Sequence, residues 1–204
     1  MQSAKKQVAE NYFDGKRRKY GMLILASKSP RRRELLSLLT TEFEIDVSDA
    51  HEPGFSGGEV SSYVCELACI KAREVARRHP GDTVIGADTV VAFDGEVLGK
   101  PRNEAHAREM LTAMSGGVQK VYTGVCVIHN GREYTDAVCT EVIFRDLSKA
   151  EIDAYVATGE CMDKAGAYGI QGGAGEFVSH IAGDYFNVIG LPMKRLAEML
   201  EEIR

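Results

Sequence analysis

An aspartate stands in the middle of a long apolar segment of this sequence. Asp88 is preceded by Thr83-Val84-Ile85-Gly86-Ala87 and followed by Thr89-Val90-Val91. An ionised carboxylate is normally excluded from a buried strand unless it is paired, bound to a metal ion or catalytic. Burial raises the pKa of a carboxyl group towards that of a general base, whereas a bound divalent cation keeps the group ionised. The residues alone leave ion pairing, metal binding and catalysis open for Asp88.

Hydroxyl and cationic side chains follow a short apolar run near the start of the sequence. Leu23-Ile24-Leu25-Ala26 predicts a buried strand, and Ser29 with Pro30 predicts the N-cap and first residue of a helix. Backbone N–H groups at a helix start attract anions, and the guanidinium groups of Arg31 and Arg32 can each bind two phosphate oxygens. The pattern predicts a phosphate site at this junction, with a solvated basic cap as the alternative.

A lysine interrupts the apolar stripe of a predicted helix that runs from Glu59 to about His79. The apolar members of this stripe are Val60, Val64, Leu67 and Val75. Lys71 falls among them, and its ammonium group is costly to bury without a partner. It must therefore extend to solvent, pair with a carboxylate or bind a ligand anion.

Two further groups of charged residues could contact phosphate. The segment Gly95–Lys100 has the glycines and lysine of a P-loop, but Pro101 replaces the Ser or Thr that a P-loop requires. A P-loop is excluded, although Lys100 can still reach a phosphate. Asp163 and Lys164 are either functional or a loop ion pair, and the glycines that follow them allow a ligand to approach the backbone closely.

The elements that carry these residues predict a mixed α/β fold. Thr83 to Phe93 is typical of a central strand, and Asp94-Gly95 predicts a hairpin turn into Glu96–Leu98. The other predicted elements are strands over Val121–His129 and Tyr134–Phe144, and helices over Glu104–Met114, Ser148 to about Ala157 and Pro192 to about Leu200. Without repeats or long linkers, one curved mixed sheet with flanking helices is the simplest architecture.

Composition indicates an ordinary globular protein. The sequence has 204 residues, of which 44% are hydrophobic and 27% charged, which is enough for one substantial core. It contains no apolar run of membrane-spanning length and no secretory signal pattern, so neither a membrane span nor secretion is predicted. We expect a cytoplasmic protein, which at this size could form a homodimer.

The net charge of −5 is unevenly distributed. Residues 1–21 carry six basic and two acidic side chains, so the remainder carries a net charge of −9. The negative charge of this remainder argues against nonspecific nucleic-acid binding. We predict that residues 1–21 form a poorly ordered basic extension and that residues 22–204 form a single domain.

The five cysteines are odd in number and scattered, which is typical of reduced thiols. Cys65 and Cys69 could share a helix face and bind a metal ion. The sequence places no His or Cys partner near them, so ordinary packing is the favoured interpretation.

Five ordered segments resemble the signature motifs of the Maf family, and the resemblance runs from about Met22 to the C-terminus. These segments are Leu25–Leu36, Gly86–Val91, Lys100-Pro101, Asp163–Gly172 and Val188–Pro192. The resemblance implies an elongated α/β fold similar to that of the inosine triphosphatases, with two lobes around a nucleotide cleft. It also implies hydrolysis of a nucleoside triphosphate to its monophosphate and pyrophosphate, with Mg²⁺ or Mn²⁺ as cofactor.

The resemblance also implies roles for individual residues. Asp88 would accept a proton from water, and Glu52 would help to bind the metal ion or water, with both carboxylates as metal ligands. The remaining catalytic and substrate-contacting residues would be Lys71, Lys100, Ser27, Arg31, Arg32, Thr89, Asp163, Lys164 and Gln171.

Three of these residues match the branch of the family that acts on dTTP and UTP, namely Arg31, Thr89 and Gln171. The resemblance therefore implies pyrimidine substrates, modified pyrimidines included. A nucleotide-binding regulator of septum formation is the alternative within the same family. A basic-armed interaction module is a third hypothesis, but it leaves Asp88 unexplained.

Overall fold

The computed structural model describes residues 21–203, so nearly all of the predicted basic extension lies outside the described residues. The strands, in chain order, are β1 (Leu23–Leu25), β2 (Glu44–Ile45), β3 (Thr83–Phe93), β4 (Glu96–Leu98), β5 (Val118–His129), β6 (Arg132–Phe144) and β7 (Val178–Ala182). The α-helices are α1 (Pro30–Leu39), α2 (Val60–Ala76), α3 (Glu104–Met114), α4 (Lys149–Ala157), α5 (Tyr185–Ile189) and α6 (Met193–Glu202). None of the helices in this part of the chain is long and apolar enough to cross a membrane.

The seven strands form one mixed sheet in the order β2-β1-β3-β5-β6-β7, with β4 paired to β3. β1 is parallel to both β2 and β3, with Leu25 opposite Ile85 on β3. β4 returns antiparallel to β3, which confirms the predicted hairpin at Asp94-Gly95. β7 is antiparallel to β6. The predicted mixed α/β class is confirmed.

The chain divides into two compact units. The first unit combines the described residues up to Asp88 with Thr123–Val138 and those from Gly190 onward, and the second combines Thr89–Tyr122 with Cys139–Ile189. Ile24, Val75 and Cys126 are among the core residues of the first unit. Leu111, Phe144 and Tyr155 are among those of the second.

Local signals account for the helix starts. Ser29 caps α1 and Pro30 is its first residue, as predicted. α4 begins with the predicted capping box, in which the Ser148 and Glu151 side chains each bind the other residue's backbone N–H.

The sequence patterns did not reveal β7 or α5. The residues of β7 are half-buried or exposed, so the strand lacks the apolar alternation by which strands are recognised. Its place is set by backbone pairing to β6. α5 has only five residues, too few to show a helical stripe.

Two glycines let α2 lie directly against the sheet. A Cβ atom added to Gly86 on β3 would lie 2.2 Å from the Ala68 carbonyl oxygen, and one added to Gly124 on β5 would lie 2.3 Å from the Val64 carbonyl oxygen. Real Cβ atoms do not approach backbone so closely, so any larger residue would push the helix away. This close contact determines which α2 side chains can reach β3 and β5.

We expect Gly86→Ala to destabilise the protein, because its methyl group would overlap the α2 backbone. Overpacking of this kind costs about 1–3 kcal/mol, which should lower the midpoint of urea unfolding. Gly54→Ala is the control, since a Cβ atom there meets nothing within 4 Å. Equal midpoints for the two variants would contradict the close packing of α2 on β3.

Candidate active site

The start of α1 presents a serine and an arginine that are tied together. Ser27 is 6% exposed and follows β1. Its Oγ accepts hydrogen bonds from the Ser29 backbone N–H and from Nη1 of Arg32, both at 3.3 Å. Nε of Arg32 donates to the Gly190 carbonyl oxygen at 2.8 Å. These bonds hold the guanidinium group of Arg32 beside the N-terminus of α1.

The pKa of Arg32 depends on its burial and on three charged neighbours. Burial lowers the pKa of Arg32, the carboxylates of Asp88 and Glu52 raise it, and the positive charge of Arg31 lowers it. Arg31 and Arg32 are half-buried, whereas Arg33 is exposed. Arg32 therefore lies beside the carboxylates of Asp88 and Glu52, whereas Arg33 faces solvent.

Lys71 and Asp88 are partners. Nζ of Lys71 lies 2.5 Å from Oδ1 of Asp88 and 3.1 Å from Oε2 of Glu52. The side chains of Lys71 and Asp88 are each 13% exposed, and that of Glu52 is 47% exposed. Two carboxylates thus share one ammonium group, so the cluster keeps an excess negative charge next to Arg32.

The parallel pairing of β1 and β3 explains why these groups meet. Leu25 lies opposite Ile85, and the Ala26 N–H donates to the Ile85 carbonyl oxygen. Ser27 lies two residues beyond the end of β1, and Asp88 lies three residues beyond Ile85 within β3. Because β3 continues past the carboxyl end of β1, Asp88 acts on Arg32 where β1 gives way to α1, and the carboxyl end of a strand is the usual place for a ligand site in α/β proteins.

Asp88 and Glu52 form a donor set that fits a divalent cation. Both offer carboxylate oxygens, and both contact the same Lys71 ammonium group. Hard cations such as Mg²⁺ and Mn²⁺ prefer oxygen ligands of this kind. The two side chains are therefore suited to hold the predicted cofactor.

Tyr63 supports the segment that carries Glu52, and the sequence analysis missed it. Its hydroxyl group donates to the Pro53 carbonyl oxygen at 2.9 Å, and its ring centroid lies 5.1 Å from that of Phe55. Burial raises the pKa of Tyr63, and the nearby charges of Asp88 and Glu52 raise it further. The sequence signal that could have identified Tyr63 is its spacing from Lys71, which it precedes by eight residues on the same helix face.

The other predicted site residues lie in the second unit. Lys100 is exposed just after β4, where the Gly99 carbonyl oxygen accepts from the Gly166 N–H at 3.1 Å. This bond brings the glycine-rich segment next to the end of β4. Thr89 is half-buried and follows Asp88 along β3.

Within the glycine-rich segment, Lys164 contributes to local structure. Its Nζ donates to the Glu160 carbonyl oxygen at 2.6 Å and to Oδ1 of Asp163 at 2.7 Å, as the ion-pair alternative expected. Oε2 of Glu160 accepts from the Gly173 N–H at 3.1 Å, which supports the turn after the exposed Gln171. Contacts of Asp163, Lys164 and Gln171 with a nucleotide stay predictions.

Comparison with known proteins agrees with the motifs. The family described as Maf-like protein matches residues 22–203. A dTTP/UTP pyrophosphatase of Thermococcus gammatolerans is 53% identical over 180 residues, covering 88% of this chain and 96% of that protein. A dTTP/UTP pyrophosphatase of Bacillus mycoides is 49% identical over 180 residues, covering 88% and 94%.

A solved structure of a nucleoside-triphosphatase, dITP/XTP pyrophosphatase, from Mycobacterium abscessus also resembles this chain. The superposition of the two structures covers 62% of this chain and 75% of the other, with a TM-score of 0.41 and 16% sequence identity. The family assignment therefore depends on the sequence comparisons, which extend over nearly all of the described residues. Because the family matches residues 22–203 and the Thermococcus gammatolerans relative is 53% identical in sequence, the chain belongs to the family of Maf-like proteins.

Proposed function

We propose that this protein hydrolyses dTTP and UTP, modified pyrimidine nucleotides included, to the monophosphate and pyrophosphate. The observation that carries the proposal is the Lys71, Asp88 and Glu52 cluster, whose charges also act on Arg32 at the start of α1. The names of the curated relatives support both the reaction and the choice of pyrimidine. A cytoplasmic location and a homodimer stay predictions from the sequence.

The start of α1 is suited to the triphosphate. The first turn of α1 contains no acidic residue, so no side chain of that turn offsets the positive end of the helix dipole. Arg31 and Arg32 add guanidinium groups that bind phosphate oxygens in pairs. In this proposal Ser27, Lys71 and Lys100 complete the phosphate contacts.

Asp88 is the proposed general base. It takes a proton from water as the water oxygen adds to the α-phosphorus. The P–O bond of that bridge then breaks, and pyrophosphate leaves with the electron pair of the bond. Lys71 holds Oδ1 of Asp88 in place before the reaction, because its ammonium group lies 2.5 Å away.

Glu52 and Asp88 would hold the divalent cation, which when bound supplies positive charge that offsets the triphosphate charge so that water can attack. Glu52 lies on an exposed segment anchored by Tyr63, whereas Asp88 lies within β3. This contrast suits one carboxylate that adjusts to the incoming nucleotide and one that keeps its place.

The reaction products test the proposed bond cleavage. Incubation of dTTP with the protein and Mg²⁺ should release dTMP and pyrophosphate, which chromatography and a pyrophosphate assay detect. EDTA should abolish turnover and added Mg²⁺ or Mn²⁺ should restore it. Release of dTDP and orthophosphate would contradict the mechanism, and nucleotide binding without turnover would favour a regulatory role.

We expect Asp88→Asn to lower kcat by about 10²-fold or more, because the amide cannot accept the proton from water. Asp94→Asn is the control, since Asp94 is an exposed residue of the β3–β4 turn. Steady-state kinetics give kcat, and circular dichroism establishes that both variants fold. Near-normal turnover in a folded Asp88→Asn protein would leave Asp88 a structural ion-pair partner only.

We expect dTTP and UTP to exceed dCTP and the purine triphosphates in kcat/KM. Uracil and thymine present O4 as acceptor and N3–H as donor, which one amide side chain can satisfy, whereas cytosine reverses this pattern. Gln171→Glu should erode this preference more than it lowers the best rate. Assays of all eight common triphosphates with both proteins measure it, and a preference of the wild type for GTP or ATP would refute the pyrimidine assignment.

A further inference from the structure

A second group of metal-binding side chains lies in the first unit, apart from the carboxylates of the candidate active site. Cys69 on α2, Cys126 on β5 and Glu133 on β6 place two sulfur atoms and a carboxylate oxygen within 4.8 Å of one another. Cys69 is 3% exposed and Cys126 is fully buried. The bare backbone of Gly124 on β5 lets α2 approach closely enough for the two thiols to meet.

We propose that Cys69, Cys126 and Glu133 bind a thiophilic divalent cation of the Zn²⁺ type. Tetrahedral zinc with sulfur and oxygen ligands holds its ligand atoms about 3.5–3.8 Å apart, which the spacing of this group allows. Thiolates favour zinc over magnesium, so the site differs in selectivity from the all-oxygen pair of Asp88 and Glu52.

Arg73 orients Glu133 without excluding a cation. Its Nε donates to Oε1 of Glu133 at 3.0 Å, and its Nη2 donates to Oε2 at 2.9 Å. A carboxylate has lone pairs for both an arginine and a metal ion, and ligating carboxylates commonly keep such a hydrogen-bonding partner. Arg73 is held from its other side by Glu66, at 3.2 Å.

The charges of the group balance when a cation is bound. Two thiolates and one carboxylate are offset by one divalent cation together with the Arg73 guanidinium group. Arg73 contacts both carboxylate oxygens of Glu133, so its positive charge lies at the group. Metal binding releases the protons of the two thiols, because the thiolate is the form that binds a metal ion.

A surface cavity of about 490 Å³ gives access to this group. Its lining includes Cys65, Cys69, Arg73, Glu133 and Thr135. A cation can therefore reach Cys69 and Glu133 from this cavity, whose lining does not include Cys126, and a water molecule can fill the fourth coordination position.

The experiment uses Co²⁺ as a spectroscopic probe of the full-length protein, reduced, freed of metal and kept anaerobic. One equivalent of Co²⁺ should produce thiolate-to-cobalt charge-transfer absorption in the near ultraviolet, and Zn²⁺ should abolish it. Cys69→Ser and Cys126→Ser should lose the absorption, whereas Cys161→Ser, at a buried cysteine of the second unit, should retain it. A cation on Asp88 and Glu52 produces no thiolate absorption, so the result is independent of the proposed hydrolysis.

A second pair of variants leaves the buried cysteines intact. Glu133→Gln should weaken Co²⁺ binding about 10-fold or more, since it removes the carboxylate ligand. Glu66→Gln should leave binding unchanged, because Glu66 contacts Arg73 and is not a member of the group. The proposal is overturned if the wild type shows no thiolate-to-cobalt absorption or if Cys69→Ser keeps it. It is also overturned if Glu133→Gln and Glu66→Gln bind Co²⁺ with equal affinity, or if Cys69 and Cys126 form a disulfide instead of binding the cation.

Discussion

The ion pair of Lys71 with Asp88 is the interaction on which the candidate active site depends. A carboxylate inside an apolar strand is tolerated only if a cation offsets the loss of hydration, and Lys71 supplies that cation at 2.5 Å. The pair forms because α2 lies directly on β3, where Gly86 presents no side chain to hold the helix away. A backbone feature thus permits the buried Asp88 carboxylate to pair with Lys71.

The close packing of α2 on the sheet positions Cys69 as well as Lys71. Lys71 points towards Asp88 on β3, and Cys69, two residues earlier, meets Cys126 on β5. Gly86 and Gly124 leave room for the helix at neighbouring strands, so α2 brings an ammonium group to Asp88 at β3 and a thiol to Cys126 at β5. Distortion of this contact would disturb both groups at once.

The two carboxylates of the candidate active site differ in how they are held. Asp88 belongs to β3, and its side chain is 13% exposed. Glu52 belongs to a segment without regular secondary structure, is 47% exposed, and depends on Tyr63 and Lys71 for its position. In the proposed mechanism this pairs a fixed general base with a more adaptable metal ligand, an arrangement suited to a site that must admit a charged substrate and then release it.

The sequence alone determined the features that depend on neighbours along the chain. Ser29 and Pro30 predicted the start of α1, Asp94-Gly95 predicted the hairpin, and an acidic residue in an apolar run marked Asp88. Only the tertiary structure decided that Lys71 is the partner of Asp88, that Tyr63 anchors the Glu52 segment, and that Cys126 and Glu133 meet Cys69. Capping and periodicity are local, whereas these contacts depend on strand order and on how closely a helix approaches the sheet, which no short stretch of sequence encodes.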